Sequence, residues 1–283
     1  MNGVSIDIEQ YPYTAQIIVH VGDDVGLCGG AVVSKRVVVT ASHCIYANDQ
    51  IIPAADIDVL LGSSYSMAGT PYDACKALKH PNYAENEHYY FWDVGLILLT
   101  RKIKLSKAIS IATIADYSAW RNVKYSMSIA GFGKTGNTED RPDRLSVTRM
   151  QYVDKKICNA SQNIDTEARP VPDHMFCMVG TTTTSDCPGD SGTAITWKTF
   201  IVGLVALGRD SRDDSCGSEA LPSMYTDLTH FRKWIMHNIQ ELESITTKNC
   251  EAESELHKLM REEKLKKKKK EIASGGDIPK YDC

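Results

Sequence analysis

Residues 37–44 read VVVTASHC, and both halves of that stretch matter. Val37–Thr40 is an unbroken run of β-branched residues. Their stiff side chains suit a strand better than a helix. The run then ends on two small residues, a histidine and a cysteine. Similar short runs recur at Ala15–Val21, Ala31–Thr40, Ile57–Leu61, Val94–Leu99, Lys124–Gly131, Leu145–Val153 and Phe200–Ala206. Gly, Asn, Asp and Pro separate them. Many short strands at such spacing point to an all-β barrel or sandwich. Helical signals are scarce before residue 228. There LTHFRKWIMHNIQELESI places Leu228, Phe231, Trp234, Ile235, Ile239 and Leu242 at three- and four-residue spacing. That spacing predicts an amphipathic helix with one buried face.

The chain has 283 residues, 42% of them hydrophobic and 24% charged, which allows a substantial core. A formal net charge of −4 gives no reason to expect a nucleic-acid partner. No run of 18 apolar residues exists, so no transmembrane helix is expected. Nine cysteines is a high count, and none lies in the close CxxC pairs that favour metal ligation. They are read as mostly disulfide-bonded, in an oxidising compartment. Secretion would require a signal, yet residues 1–20 lack a basic start followed by an apolar stretch. A longer natural precursor is therefore expected. After residue 245 the composition shifts. Residues 246–283 carry ten Lys/Arg and eight Asp/Glu, with six lysines in KLKKKKK at 264–270. This tail is expected to be partly helical or disordered. A sharper reading makes the lysines an arm for an anionic surface.

Three motifs carry chemistry. CPGDSG at 187–192 sets Ser191 between glycines, after an aspartate. Gly189 lets the backbone bend until its N–H and that of Ser191 address one point, where they would stabilise an oxyanion. Serine alone is a poor nucleophile and needs a base. His43 in TASHC supplies one. WDVGLILL at 92–99 opens an apolar strand with Asp93, a carboxylate suited to fixing an imidazole tautomer.

The order His43, Asp93, Ser191 resembles that of the chymotrypsin-like serine peptidase family. The likeness covers about residues 1–245, the expected peptidase domain, and leaves the tail 246–283 unexplained. It implies two six-stranded antiparallel β-barrels with a C-terminal α-helix, and the triad between the barrels. It implies a secreted serine endopeptidase acting on proteins or peptides as a monomer, with no cofactor and no metal. The matching calcium-loop stretch, GSSYSMAGTPYDA at 62–74, has one acidic side chain, so no calcium site is expected. The resemblance also pairs Cys28 with Cys44, Cys158 with Cys177, and Cys187 with Cys216. Cys75, Cys250 and Cys283 are left over, an odd number. Asn159-Ala160-Ser161 is a glycosylation sequon.

The likeness also implies activation, by pairing Asp190 with a freed N-terminal ammonium. Counting back from Tyr11-Pro12-Tyr13 puts Met1 at the second mature position, so this chain is expected to behave as a zymogen. Other departures are Ser42 for a common Ala, Thr193-Ala194 for Gly-Pro, and Ala206-Leu207 for Ser-Trp. The primary pocket would be formed by Ser185, Asp186, Gly208 and Ser223. Ser185 at its base favours large apolar residues before the scissile bond; Asp186 favours Lys or Arg. The Asp186 carboxylate tips the expectation toward Lys or Arg, and the aspartate-bearing insert RDSRDDS at 209–215 would attract basic substrates on approach. A binding homologue with an inert cleft is the alternative from another class.

Overall fold

The computed structural model describes residues 3–85, 90–122, 124–135, 143–162, 170–180, 185–207, 222–250 and 259. Strands Thr14–Val21, Asp24–Val32, Val37–Thr40, Ile57–Leu61, Thr70–Lys79 and Gly95–Leu99 close into an antiparallel barrel. Strands Ser126–Gly131, Ser146–Val153, Met175–Gly180, Ala194–Trp197, Phe200–Leu207 and Ser223–Asp227 form a second. It closes where Ser146–Val153 pairs with Met175–Gly180. The two six-stranded barrels are those expected from the sequence, and helix Leu228–Glu243 follows the last strand.

The unbroken run at Val37–Thr40 has a packing reason. Successive side chains of a strand point to opposite faces. Val38 faces the interior of the first barrel, with Ile17, Val59 and Ile97. Val37 and Val39 face outward, yet are covered by Leu96, Leu98, Ile201, Leu204 and the helix residues Phe231 and Ile235. Both faces are buried, so no polar alternation is present. A separate cluster of Trp120, Met127, Ile129, Ile195, Val202 and Tyr225 fills the second barrel.

Three local readings differ from the structure. The run Ala31–Thr40 is two strands, because Ser34 Oγ accepts the N–H groups of Arg36 at 3.1 Å and Val37 at 2.9 Å and turns the chain. Strand Thr70–Lys79 was not expected from its mixed sequence. Nor was helix Lys155–Gln162. In the C-terminal helix the expected stripe is buried at Leu228, Phe231, Ile235, Ile239 and Leu242, with Trp234 half-buried. Asp227 caps it, accepting from the N–H groups of Thr229 at 2.8 Å and His230 at 3.4 Å.

Two of the leftover cysteines pair: Cys75 is bonded to Cys250, 175 residues later. Buried Arg36 reinforces the link. Its guanidinium donates to the carbonyls of Leu99 at 3.2 Å and Ile245 at 2.5 Å, and lies 3.1 Å from Cys250 Sγ. The chain beyond the helix is thus fastened to the first barrel as far as Cys250. Cys283 lies outside the described residues. Closing so long a loop restricts the unfolded chain strongly. Cys250→Ser is expected to destabilise the fold by about 2–5 kcal/mol. Urea unfolding of variant and parent measures the loss.

Candidate active site

Strand pairing brings His43 and Asp93 together. Thr40 lies opposite Gly95 in antiparallel register. The residues after Thr40 therefore run beside those before Gly95. Ser42 Oγ donates to the carbonyl of Val94 at 2.7 Å, so the departure from alanine here adds a tether between the two segments. The Cys28–Cys44 disulfide clamps the His43 turn to the neighbouring strand, as the resemblance implied.

Asp93 is buried. Its Oδ1 accepts the backbone N–H of His43 at 3.0 Å, and its Oδ2 lies 2.8 Å from His43 Nδ1. An ionised carboxylate can only accept, so Nδ1 carries the proton of the neutral ring and Nε2 keeps its lone pair. The Asp93 carbonyl also accepts from Thr226 Oγ1 of the second barrel at 3.0 Å. Tyr90 stacks on the His43 ring, with centroids 4.6 Å apart and planes 18° apart.

The Ser191 turn is docked against both barrels. The Ser191 carbonyl accepts from Gly29 N–H at 2.7 Å, and Gly192 N–H donates to the Val205 carbonyl at 2.7 Å. Gly29 adjoins Cys28, and Cys28 is bonded to Cys44 beside His43. The same strand thus holds the Ser191 turn and the His43 turn. Gly189 has φ +95° and Gly192 φ +76°, conformations that favour glycine. A Cβ on Gly192 would meet Thr40 Oγ1 at 2.3 Å and the Gly29 carbonyl at 2.6 Å.

The carboxylate of Asp190 turns inward. Its Oδ1 accepts from Gly133 N–H at 2.9 Å, and its Oδ2 from Cys187 N–H at 3.1 Å. Burial, aided by neighbouring Asp186, pushes its carboxyl up to about 6. Gly3, Lys134, Ser185 and Asp190 line one pocket, so the N-terminal segment lies close to this carboxylate.

Ser185, Asp186 and Ser223 are all buried. Asp186 Oδ1 accepts from the Tyr225 hydroxyl at 2.6 Å. Burial raises its carboxyl above the usual range, and the Tyr225 hydrogen bond opposes that shift. The partner of Asp186 is therefore a hydroxyl supplied by the last strand of the barrel. Gly208 and the 209–215 insert lie outside the described residues.

Cys158 pairs with Cys177, as implied. Cys187 is disulfide-bonded, while Cys216 lies outside the described residues. Cys28, His43 and Cys44 gather their ligand atoms within 4.8 Å. Those two sulfurs are bonded to each other and offer no thiolate to a metal. The Asn159 side chain of the sequon accepts from Val171 N–H at 2.8 Å.

Sequence reading missed His174 and Trp92. Trp92 N–H donates to His174 Nε2 at 3.2 Å, across the two barrels. No local motif marks that contact. The position of Trp92 directly before Asp93 was its one signal.

The trypsin family model matches residues 1–235, and the chain belongs to that family of serine proteases. The β subunit of clotting factor G from Tachypleus tridentatus is 29% identical, over 74% of this chain and 70% of that protein. Trypsin epsilon of Drosophila erecta is 25% identical, over 86% of this chain and 88% of its own length. Human kallikrein-5 is 26% identical, over 85% of this chain and 76% of its own. In fold, the chain resembles neuropsin, a serine protease of mouse brain. The TM-score is 0.70 at 22% identity, covering 84% of this chain and 99% of neuropsin. Among the described residues, no helix is long and apolar enough to cross a membrane.

Proposed function

We propose that the protein is a secreted serine endopeptidase in which Ser191 is the nucleophile, His43 the general base and Asp93 its orienting partner. The observation that carries this reading is the doubly hydrogen-bonded, buried Asp93, which leaves His43 Nε2 as the acceptor. Ser191 Oγ attacks the scissile carbonyl while Nε2 takes its proton. The N–H groups of Gly189 and Ser191 receive the oxyanion. The imidazolium, stabilised by Asp93, returns the proton to the leaving amine. Water then hydrolyses the acyl-enzyme by the same base, releasing the acid and restoring Ser191.

The peptidase domain is taken as residues 1–245 and the rest as a charged tail, its first residues fastened through Cys250. The N-terminal ammonium is assigned to Asp190. The burial of its carboxyl and the nearby Gly3 support that pairing. Secretion is supported by the disulfides, which persist in oxidising compartments.

Before the scissile bond the pocket takes Lys or Arg. Asp186 is buried with the Tyr225 hydroxyl on one oxygen, and a charge held there favours a cationic guest. The competing reading gives Ser185 control and selects large apolar residues. A cleavage profile over a peptide library is expected to show Lys or Arg preferred at that position. Preference for Phe, Tyr or Leu would overturn the assignment.

A further inference from the structure

The segment bearing Asp93 makes an uncommon demand on its backbone. Trp92 has φ +49°, in the left-handed region that large side chains seldom adopt. Contacts from the second barrel hold it there. Its N–H donates to His174 Nε2 at 3.2 Å. Its indole stacks on the same imidazole, with centroids 4.6 Å apart and planes 17° apart. His174 is itself buried and fixed, since its carbonyl accepts Asp227 N–H at 3.0 Å, just before strand Met175–Gly180. One residue beyond Trp92, Thr226 of the same barrel holds the Asp93 carbonyl. The segment is thus gripped on both sides of the peptide that leads into the carboxylate.

We propose that His174 is a positioning residue for the Asp93–His43 couple: its neutral ring accepts the Trp92 N–H across the barrel interface, and protonating that ring releases the segment. The kinetic consequence rests on the reading of Asp93 and His43 as catalytic partners; the structural one does not. For Nε2 to accept, the ring proton must sit on Nδ1. A doubly protonated ring would turn a donor toward a donor.

The surroundings keep the ring neutral. His230 of the C-terminal helix lies with its centroid 6.0 Å away. His80 of the first barrel and Lys155 of the short helix add positive or potentially positive charge, while Asp173 beside it acts the other way. Asp173 is also paired with Lys155 at 2.5 Å. Burial first, then His230, His80 and Lys155 against the opposing Asp173, lower the proton affinity of His174 to about 4. The acceptor is therefore present at neutral pH and lost as pH falls through about 4.

Two variants separate acceptor from stack. His174→Phe keeps an aromatic face and removes the acceptor. His174→Gln places an amide oxygen near the position of Nε2. The rate constant for labelling of Ser191 by a diphenyl phosphonate, per folded molecule, is expected to fall about tenfold or more in His174→Phe. It is expected to stay within roughly threefold of the parent in His174→Gln. The proton resonance of His43 Nδ1–H reports the Asp93 hydrogen bond without any chemistry at Ser191. It is expected to shift or broaden in His174→Phe and to be retained in His174→Gln. An unchanged rate constant with an unchanged resonance in His174→Phe would overturn the proposal. A parent that fails to label while its His43 resonance still depends on His174 would sink the enzymatic reading and support the positioning role. Should the variants not fold, nitrogen NMR of the parent decides. The expected state at pH 7 is His174 with its proton on Nδ1; a proton on Nε2 contradicts the proposal.

Discussion

Replacing Ser191 by alanine is expected to lower peptide-bond hydrolysis by about 10⁶-fold, with melting temperature and far-UV spectrum unchanged. Ser191 is half-buried and the turn around it is held through the backbone: Ser191 by its carbonyl, Gly192 by its N–H. Loss of the hydroxyl therefore removes the nucleophile without removing a structural contact of that backbone. His43→Ala is expected to cost about as much, and the double variant little more, because the two act as one unit. Single-turnover assays on an ester and an amide measure all three. An alanine variant that turns over at the parent's rate would remove Ser191 from the mechanism.

Asp93→Asn is expected to reduce kcat by about 10⁴-fold with little change in KM, the magnitude found for this change in the triad template of the family. The physical cause is the tautomer. Asp93 presents two acceptors to His43, one to the backbone N–H and one to Nδ1. An asparagine has one acceptor oxygen and one donor amide. If the oxygen stays on the backbone N–H, the amide meets Nδ1 and drives the proton to Nε2. The nitrogen that should take the Ser191 proton is then already occupied. The carboxylate is buried, so no solvent charge substitutes for it in stabilising an imidazolium. Steady-state kinetics of the variant, with its fold checked by thermal melting, tests the point. Retention of parental kcat would mean that Asp93 does not orient the base.

The barrels were legible where burial on both faces made strands continuous, as at Val37–Thr40 and Gly95–Leu99. They were not legible where packing demanded other residues. Strand Asp24–Val32 contains Gly29 and Gly30 because Thr193 and Val39 leave no room for a Cβ. Those glycines dilute the strand signal. In strand Thr70–Lys79, exposed Thr70, Pro71 and Lys76 mask buried Tyr72, Ala74 and Cys75. Helix Lys155–Gln162 buries Cys158 and little else, so its apolar stripe is nearly absent. The Cys75–Cys250 bond joins residues 175 apart and has no local signature.

The site divides in the same way. His43, Asp93 and Ser191 sit in motifs whose neighbours are themselves constrained, by a disulfide, a strand end and two glycines in left-handed backbone. Their context is therefore written beside them in the chain. Ser42 read as a mere departure from alanine until its hydroxyl was seen to tie the His43 turn to Val94. His174 acts through a contact 82 residues away from Trp92, and only the folded barrels bring the two together.

In the proposed mechanism Ser191, made nucleophilic by His43, attacks an electrophile bound in the cleft between the barrels. The most direct test is incubation of the activated protein, its N-terminal ammonium paired with Asp190, with a diphenyl phosphonate, followed by intact mass and peptide mapping. One covalent adduct per molecule is expected on Ser191, and none in His43→Ala. A folded protein that stays unmodified, or is modified elsewhere, would contradict it.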